Sequence, residues 1–320
     1  MNGPSAREFR HDGLFYRSDD ELVAAAAPFL RDGLAASETV VVVCAEPRAS
    51  ALVDALPGDG GDLLVLRPTE LYRRTATTIA ALQKLAEREL ANGRPGVRVM
   101  GEIDFGDDPE GKAEWSAYEA VINAAFAHVP MLWTVCAFNT RDLPEEVISA
   151  ATQTHPHLLT ATTRTPNPSY LEPAQFLRRS AAGGPGWLPP TPPDIDIPSL
   201  ADVGQLRGGI LGALEHTGLD IETRHHLVFA ANEVATNAFD HGRPPVRVRL
   251  WCTPSRVICT VTDSGDGFDD RLAGYTRIGE ARATAAAGLW TARQLVDHLD
   301  AARTGQGFTV RMILRSSGST

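Results

Sequence analysis

The stretch HHLVFAANEVATNAFDHG, residues 225–242, sets Glu233 and Asn237 four positions apart, with His241 one further step along. On a helix that spacing stacks a carboxylate and a carboxamide on the same side. An ordinary helix-surface pair has the same spacing, so the pair alone does not define a site. RVICTVTDSGDGF, residues 256–268, is a β-branched run leading straight into Asp-x-Gly-x-Gly. Such a strand delivers Asp263 to a sheet edge, and Gly265 and Gly267 let backbone turn sharply and approach a ligand closely. A DxGxG taken alone is equally a turn or a calcium-type loop. AAAGLWTARQLVD, residues 285–297, then brings Gly288 and Leu289 to the entry of a helix, and helix N-termini favour phosphate groups. The three elements in this order are far more specific than any one of them.

The elements that must position these residues follow from the pattern on either side. Leu227, Ala230, Ala231, Val234, Ala235 and Ala238 form an apolar face at helical spacing. Helices are expected over 200–217 and 222–240, then strands VRVRLWC and RVICTVTD joined by Thr-Pro-Ser, a helix near 288–299 and a last strand FTVRMIL. A mainly antiparallel sheet with helices on one face is the natural arrangement. Upstream, VVVVCAE, DLLVLRP, VRVMGEIDF and MLWTVCAFN alternate with helical stretches at 21–34, 70–90 and 113–128. Near-continuous apolar strands separated by helices predict a parallel α/β sheet. Between the halves, AAGGPGWLPPTPPDIDIP cannot sustain a helix or a central strand. The expected layout is therefore 1–180, a linker or edge at 181–198, and 199–320.

Composition narrows the classes. The chain has 320 residues, 43% hydrophobic and 22% charged, with a formal net charge of −10. The acidic balance opposes phosphate-backbone binding, so no direct nucleic-acid contact is expected. No apolar run approaches the roughly 20 residues of a membrane span, and MNGPSAREFRHDG lacks the apolar core of a signal peptide. Cys44, Cys136, Cys252 and Cys259 fall mostly in apolar runs without CxxC spacing. They read as reduced cysteines of a cytoplasmic protein.

With these motifs in hand, residues from about 195 to 315 resemble the anti-sigma-factor serine/threonine kinases of the GHKL superfamily. NEVATNAFDHG resembles their N-box, DSGDGF their adenine loop and GLWTARQLVD their phosphate-side helix. The resemblance implies a two-layer α+β ATPase (Bergerat) fold binding ATP and Mg²⁺. In that reading Glu233 is the general base on the attacking hydroxyl, Asn237 the Mg²⁺ ligand, and His241 lies toward the phosphates. Asp263 accepts the adenine amino hydrogen, and Gly265 and Gly267 pass the ring. Phe268 to Gly288 is the ATP lid, whose cations are Arg271, Arg277 and Arg282. The implied partners are a sigma factor and a STAS-fold antagonist, phosphorylated on serine or threonine, and a homodimer is compatible with the family. A non-catalytic ATP-dependent binding module and a two-component histidine kinase are the alternatives. The family carries Gly-x-Gly-Leu where this chain has Ala286, Ala287, Gly288 and Leu289. An alanine at positive φ costs roughly 1–2 kcal/mol, which predicts loosely held phosphates and weak basal activity.

Residues 8–160 resemble the MEDS sensory domain through HDGLFYRSDDEL, FLRDGLAASETVVVVCAE, VRVMGEIDF, YEAVINAAF and CAFNTRDLPEEVI ending in THPHL. This implies a RecA-like sensor without an ATPase site, and PRAS after the first apolar strand is indeed no phosphate loop. His11, Tyr16, Glu102 and His155 fall on its recurring positions. Ligands of parallel sheets bind outside the carboxyl ends of the strands, which collects Cys44, Glu46, Glu102, Asp104, Cys136 and Asn139 at one rim. A crevice for a small-molecule signal or a partner is expected there.

Overall fold

The computed structural model describes residues 9–57, 63–129, 131–180, 188–215, 217–275 and 283–316. The chain divides into two compact units, Met1–Arg179 and Ser180–Thr320. In the first, the elements run β1 (Arg10–Tyr16), α1 (Asp19–Ala35), β2 (Thr39–Val43), α2 (Arg48–Asp54), β3 (Leu63–Leu66), α3 (Pro68–Leu71), α4 (Thr75–Ala91), β4 (Val97–Gly101), α5 (Pro109–Ala125), β5 (Leu132–Asn139), α6 (Glu145–Thr154), β6 (His157–Leu159), β7 (Arg164–Pro166) and α7 (Pro173–Arg179). Among the described residues the strands form one sheet ordered β3-β2-β4-β5-β1-β6-β7. All neighbours are parallel except the last pair, where β7 runs antiparallel to β6.

Local chemistry explains the helix starts. Ser18 accepts from the Glu21 amide ahead of an acidic first turn, and Asp108 accepts from the Gly111 amide with Pro109 behind it. Leu22, Ala26 and Leu30 of α1 pack with Leu52 of α2 against Val40, Val42 and Met100. The single helix expected over 70–90 is instead two, broken at Tyr72–Arg74. Tyr72 turns its ring onto Trp115 and Tyr118 of α5, and its hydroxyl occupies the space a side chain at Gly101 would need. β1 is absent from the strands the sequence predicts, because His11 and Asp12 interrupt its apolar pattern. Both are buried with partners: Asp12 accepts from Trp133 and bidentately from Arg164.

The second unit comprises β8 (Ile195–Ile197), α8 (Val203–Leu214), α9 (Ile221–His241), β9 (Arg247–Cys252), β10 (Arg256–Asp263), α10 (Ala283–Leu295), β11 (His298–Thr304) and β12 (Gly307–Arg315). Its sheet, ordered β11-β12-β10-β9-β8, is antiparallel throughout. Val248, Leu250, Val257, Cys259, Val261, Val310 and Met312 bury one sheet face under α8, α9 and α10. The architecture is thus a parallel-rich α/β sheet followed by an antiparallel sheet with helices. The end of the segment read as a linker or edge is the edge strand β8, held to β9 and by the Asp196–Arg247 pair. One boundary differs from the sequence expectation. The helix expected to 299 stops at Leu295, and His298–Thr304 form a strand. Their alternation His298, Asp300 against Leu299, Ala301 is the period-2 signal that separates them from the helix.

Candidate nucleotide site and sensory crevice

In the second unit α9 starts on Asp220, whose carboxylate accepts from the Thr223 amide, and ends at Gly242. Its apolar face, from Leu227 to Ala238, is buried in the core as the spacing predicts. Glu233 and Asn237 lie half-buried at the flank of that face, and His241 ends the helix exposed. Helix α10 packs against α9 with Gly288 at the contact. A Cβ there would lie 3.0 Å and 3.1 Å from the two polar atoms of the Asn237 carboxamide and 3.2 Å from a carboxylate oxygen of Glu233. Glu233, Asn237 and Gly288, separate in sequence, are therefore one cluster. Leu289 is buried behind them.

Asp263, at the end of β10, is buried. Its Oδ1 accepts from the amides of Gly265 at 2.6 Å and Arg243 at 3.2 Å. One oxygen is thus fixed by backbone, which orients the carboxylate. Gly242 and Gly265 both lie so close that a Cβ on either would collide with Asp263. Gly267 has φ +66°, and a side chain there would run into the ring of Phe308. Phe308 in turn meets the half-exposed Phe268 edge-on at 4.9 Å between centroids. Arg303 bonds Asp266 and ties the loop to β11.

The lid differs from expectation. Ala286 and Ala287 lie inside α10, whose backbone is helical from Ala283, and the Ala287 carbonyl accepts from Thr291 at 3.0 Å. Neither Ala286 nor Ala287 sits at positive φ, so the predicted steric cost does not arise. Gly288 is an interior helix residue, not the helix entry. Arg277 and Arg282 lie outside the described residues. Arg271 is half-buried in the turn before them.

In the first unit the carboxyl ends of β2, β3, β4 and β5 open a crevice of about 480 Å³ lined by Glu46, Arg48, Arg67, Glu102, Asp104, Phe105 and Asn139 among others. Glu102 is its hub, accepting from the Tyr16 hydroxyl, from Cys44 at 3.1 Å and from Arg48 at 3.0 Å. Burial and the Glu102 charge push the Cys44 thiol up to about 12, so it stays protonated. Glu46, Asp104 and Asn139 each have local partners in Ser50, Gly106 and Asp142. Cys136 is not at this rim. It sits within β5, opposite Gly13, on the face beneath α5, where His11 and His155 also lie. The sequence signal for Arg48, which supplies the crevice's charge complement to Glu102, was slight: one arginine after a strand.

Two family models match the chain. Residues 10–156 match MEDS, the MEthanogen/methylotroph, DcmR Sensory domain, and residues 198–314 match the histidine kinase-like ATPase domain. No curated protein matches it. Among the described residues no helix is long and apolar enough to cross a membrane. The chain joins an N-terminal MEDS sensory domain to a C-terminal histidine kinase-like ATPase domain, the make-up of a regulatory, ATP-binding, kinase-like protein.

Proposed function

We propose that the chain is an anti-sigma regulatory protein whose ATPase domain phosphorylates a serine or threonine of a STAS-type antagonist and binds a sigma factor, under control of the MEDS domain. The observation that favours protein-serine/threonine over histidine kinase chemistry concerns α8. Among the described residues between Arg179 and α9 it is the one helix, and Leu206, Ile210 and Leu214 bury it in the ATPase core. It is therefore part of that domain and not a dimerising hairpin presenting a phosphoacceptor histidine.

The residues fit ATP and Mg²⁺ by their donor chemistry. The buried Asp263 carboxylate has one oxygen oriented by two amides, which suits it to accept from an adenine amino group. Gly265 and Gly267 keep the neighbouring space clear of side chains. Asn237 offers a hard carboxamide oxygen to Mg²⁺, which supplies charge neutralisation at the phosphates when bound. Glu233, beside it, orients the acceptor hydroxyl and takes its proton. His241 lies at the same end of α9, toward the phosphates. The mixed-charge crevice around Glu102 and Arg48 is the place for a small polar signal molecule.

Incubation of the full chain with labelled Mg·ATP and a STAS-domain protein tests this reading. Acid-stable phosphate on serine or threonine of the antagonist is expected, with Glu233→Gln retaining ATP binding but losing transfer by about 10²-fold or more. Acid-labile label on the chain itself would establish the histidine-kinase alternative. ATP binding without transfer to any substrate would leave a binding module.

A further inference from the structure

His11 on β1, Glu119 on α5, Cys136 on β5 and His155 just after α6 meet between the sheet and α5, none more than 6% exposed. Their ligand-type atoms all lie within 4.8 Å of one another. Nε2 of His11 stands 3.1 Å from Oε2 of Glu119 and 3.4 Å from Sγ of Cys136. Nε2 of His155 is 3.4 Å from the same carboxylate oxygen. A tetrahedral ion with bonds of about 2.0–2.3 Å separates its ligands by about 3.3–3.8 Å, the same scale.

The surrounding hydrogen bonds fix which nitrogens face inward. Asn123 donates through Nδ2 to the carbonyls of Glu119, Ala120 and Thr154. Its Oδ1 is thereby turned toward Nδ1 of His11, 3.1 Å away, and the proton of that ring sits on Nδ1. Nδ1 of His155 lies 2.7 Å from the Ala151 carbonyl, which only accepts, so it too carries its proton. In their neutral forms both rings then aim an Nε2 lone pair at the Glu119 carboxylate. Among the four side chains only the Cys136 thiol offers a proton inward. Glu119 Oε1 and His155 Nε2 make no hydrogen bond. Converging buried acceptors need a cation between them.

We propose that His11, Glu119, Cys136 and His155 bind one divalent transition-metal ion, Zn²⁺ in a four-coordinate N₂OS set, closed to solvent inside the MEDS domain. On binding, the Cys136 S–H bond breaks, its proton leaves to solvent and a sulfur–metal bond forms. The thiolate and the Glu119 carboxylate then balance the dication, and two neutral imidazoles complete the shell. Nδ1–H donation from each ligand histidine to an outer acceptor is the usual support of such a site. Gly13 belongs to it as well: a Cβ there would lie 3.1 Å from the His155 ring. With four protein ligands the site has no open position, so the ion ties β1, β5, α5 and the end of α6 together.

The test uses the full chain, stripped with chelator and titrated with Co²⁺. One Co²⁺ per chain is expected, with the strong visible absorption of four-coordinate cobalt and a thiolate charge-transfer band, and with Zn²⁺ displacing it. Cys136→Ser removes the charge-transfer band, Cys259→Ser keeps it, and Asn123→Ala weakens binding by about 10- to 100-fold. A weak six-coordinate spectrum without a sulfur band overturns the proposal, as does an unchanged spectrum in Cys136→Ser. X-ray absorption of the zinc-loaded unmodified chain decides the matter even where a variant fails to fold. One sulfur with three nitrogen or oxygen neighbours supports the site, and any other count overturns it.

Discussion

At the scale of single residues, Asp263 gives the sharpest test of the nucleotide site. Its Oδ1 serves two backbone amides, a task a carboxamide oxygen performs equally well. Asp263→Asn therefore keeps the fold but turns an NH₂ toward the adenine amino group, donor against donor. ATP affinity is expected to fall by about 10- to 100-fold, and GTP affinity by less. Calorimetry with both nucleotides checks it; unchanged ATP affinity would remove Asp263 from the site. His11 gives a pH prediction. Its folded form resists protonation while the unfolded chain protonates near the ordinary histidine value of 6.5. Below that value the unfolded state binds more protons, so stability is full above about pH 6.5 and falls as the pH drops. The metal-free thermal midpoint should decline from pH 7 to pH 5, and less so in His11→Gln; equal declines would exclude His11 as the cause. Asp263 was legible in the sequence because a motif surrounds it. The His11–Glu119–Cys136–His155 cluster was not: its members come from four elements, His11 and Cys136 alone being 125 positions apart, so no short spacing announces it.

At the scale of elements, α10 decides how the phosphate side behaves. Because Ala286 and Ala287 are helical, the Gly-x-Gly comparison that predicts strain there does not apply. Ala286→Gly should cost roughly 1 kcal/mol of stability and leave the transfer rate no higher. Gly288→Ala is the informative change. Helix propensity favours it by up to about 1 kcal/mol, yet its Cβ would crowd Asn237 and Glu233. Stability is expected to hold while Mg·ATP affinity drops about tenfold, read by a thermal melt and a titration on the same protein; unchanged affinity would separate α10 from the site. Long apolar helices and strands were legible, whereas the shortest strands were not. β6, β7 and β8 span three residues each, too few for alternation to register against proline-rich surroundings.

At the scale of the whole molecule, β8 sets where the ATPase domain begins. A chain starting near Pro190 retains it; one starting at Pro198 bares the β9 edge, an invitation to strand pairing between molecules. The longer form should be monodisperse in light scattering and the shorter should aggregate; equal behaviour would make β8 dispensable. If the MEDS domain regulates the kinase, the Pro190 form should also differ from the full chain in transfer rate or sigma-factor affinity. The position of β1 carries a further consequence. Among the described strands of its sheet it comes first in the chain, yet its neighbours are β5 and β6, made more than a hundred residues later. On the ribosome β1 must wait for its first neighbour until Asn139 has emerged and for its second until Leu159, roughly 6–30 seconds at the usual rate of 5–20 residues per second. The N-terminal domain is therefore post-strand-six in its folding, and a holdase should bind nascent chains that stop short of residue 157 and release those that pass it.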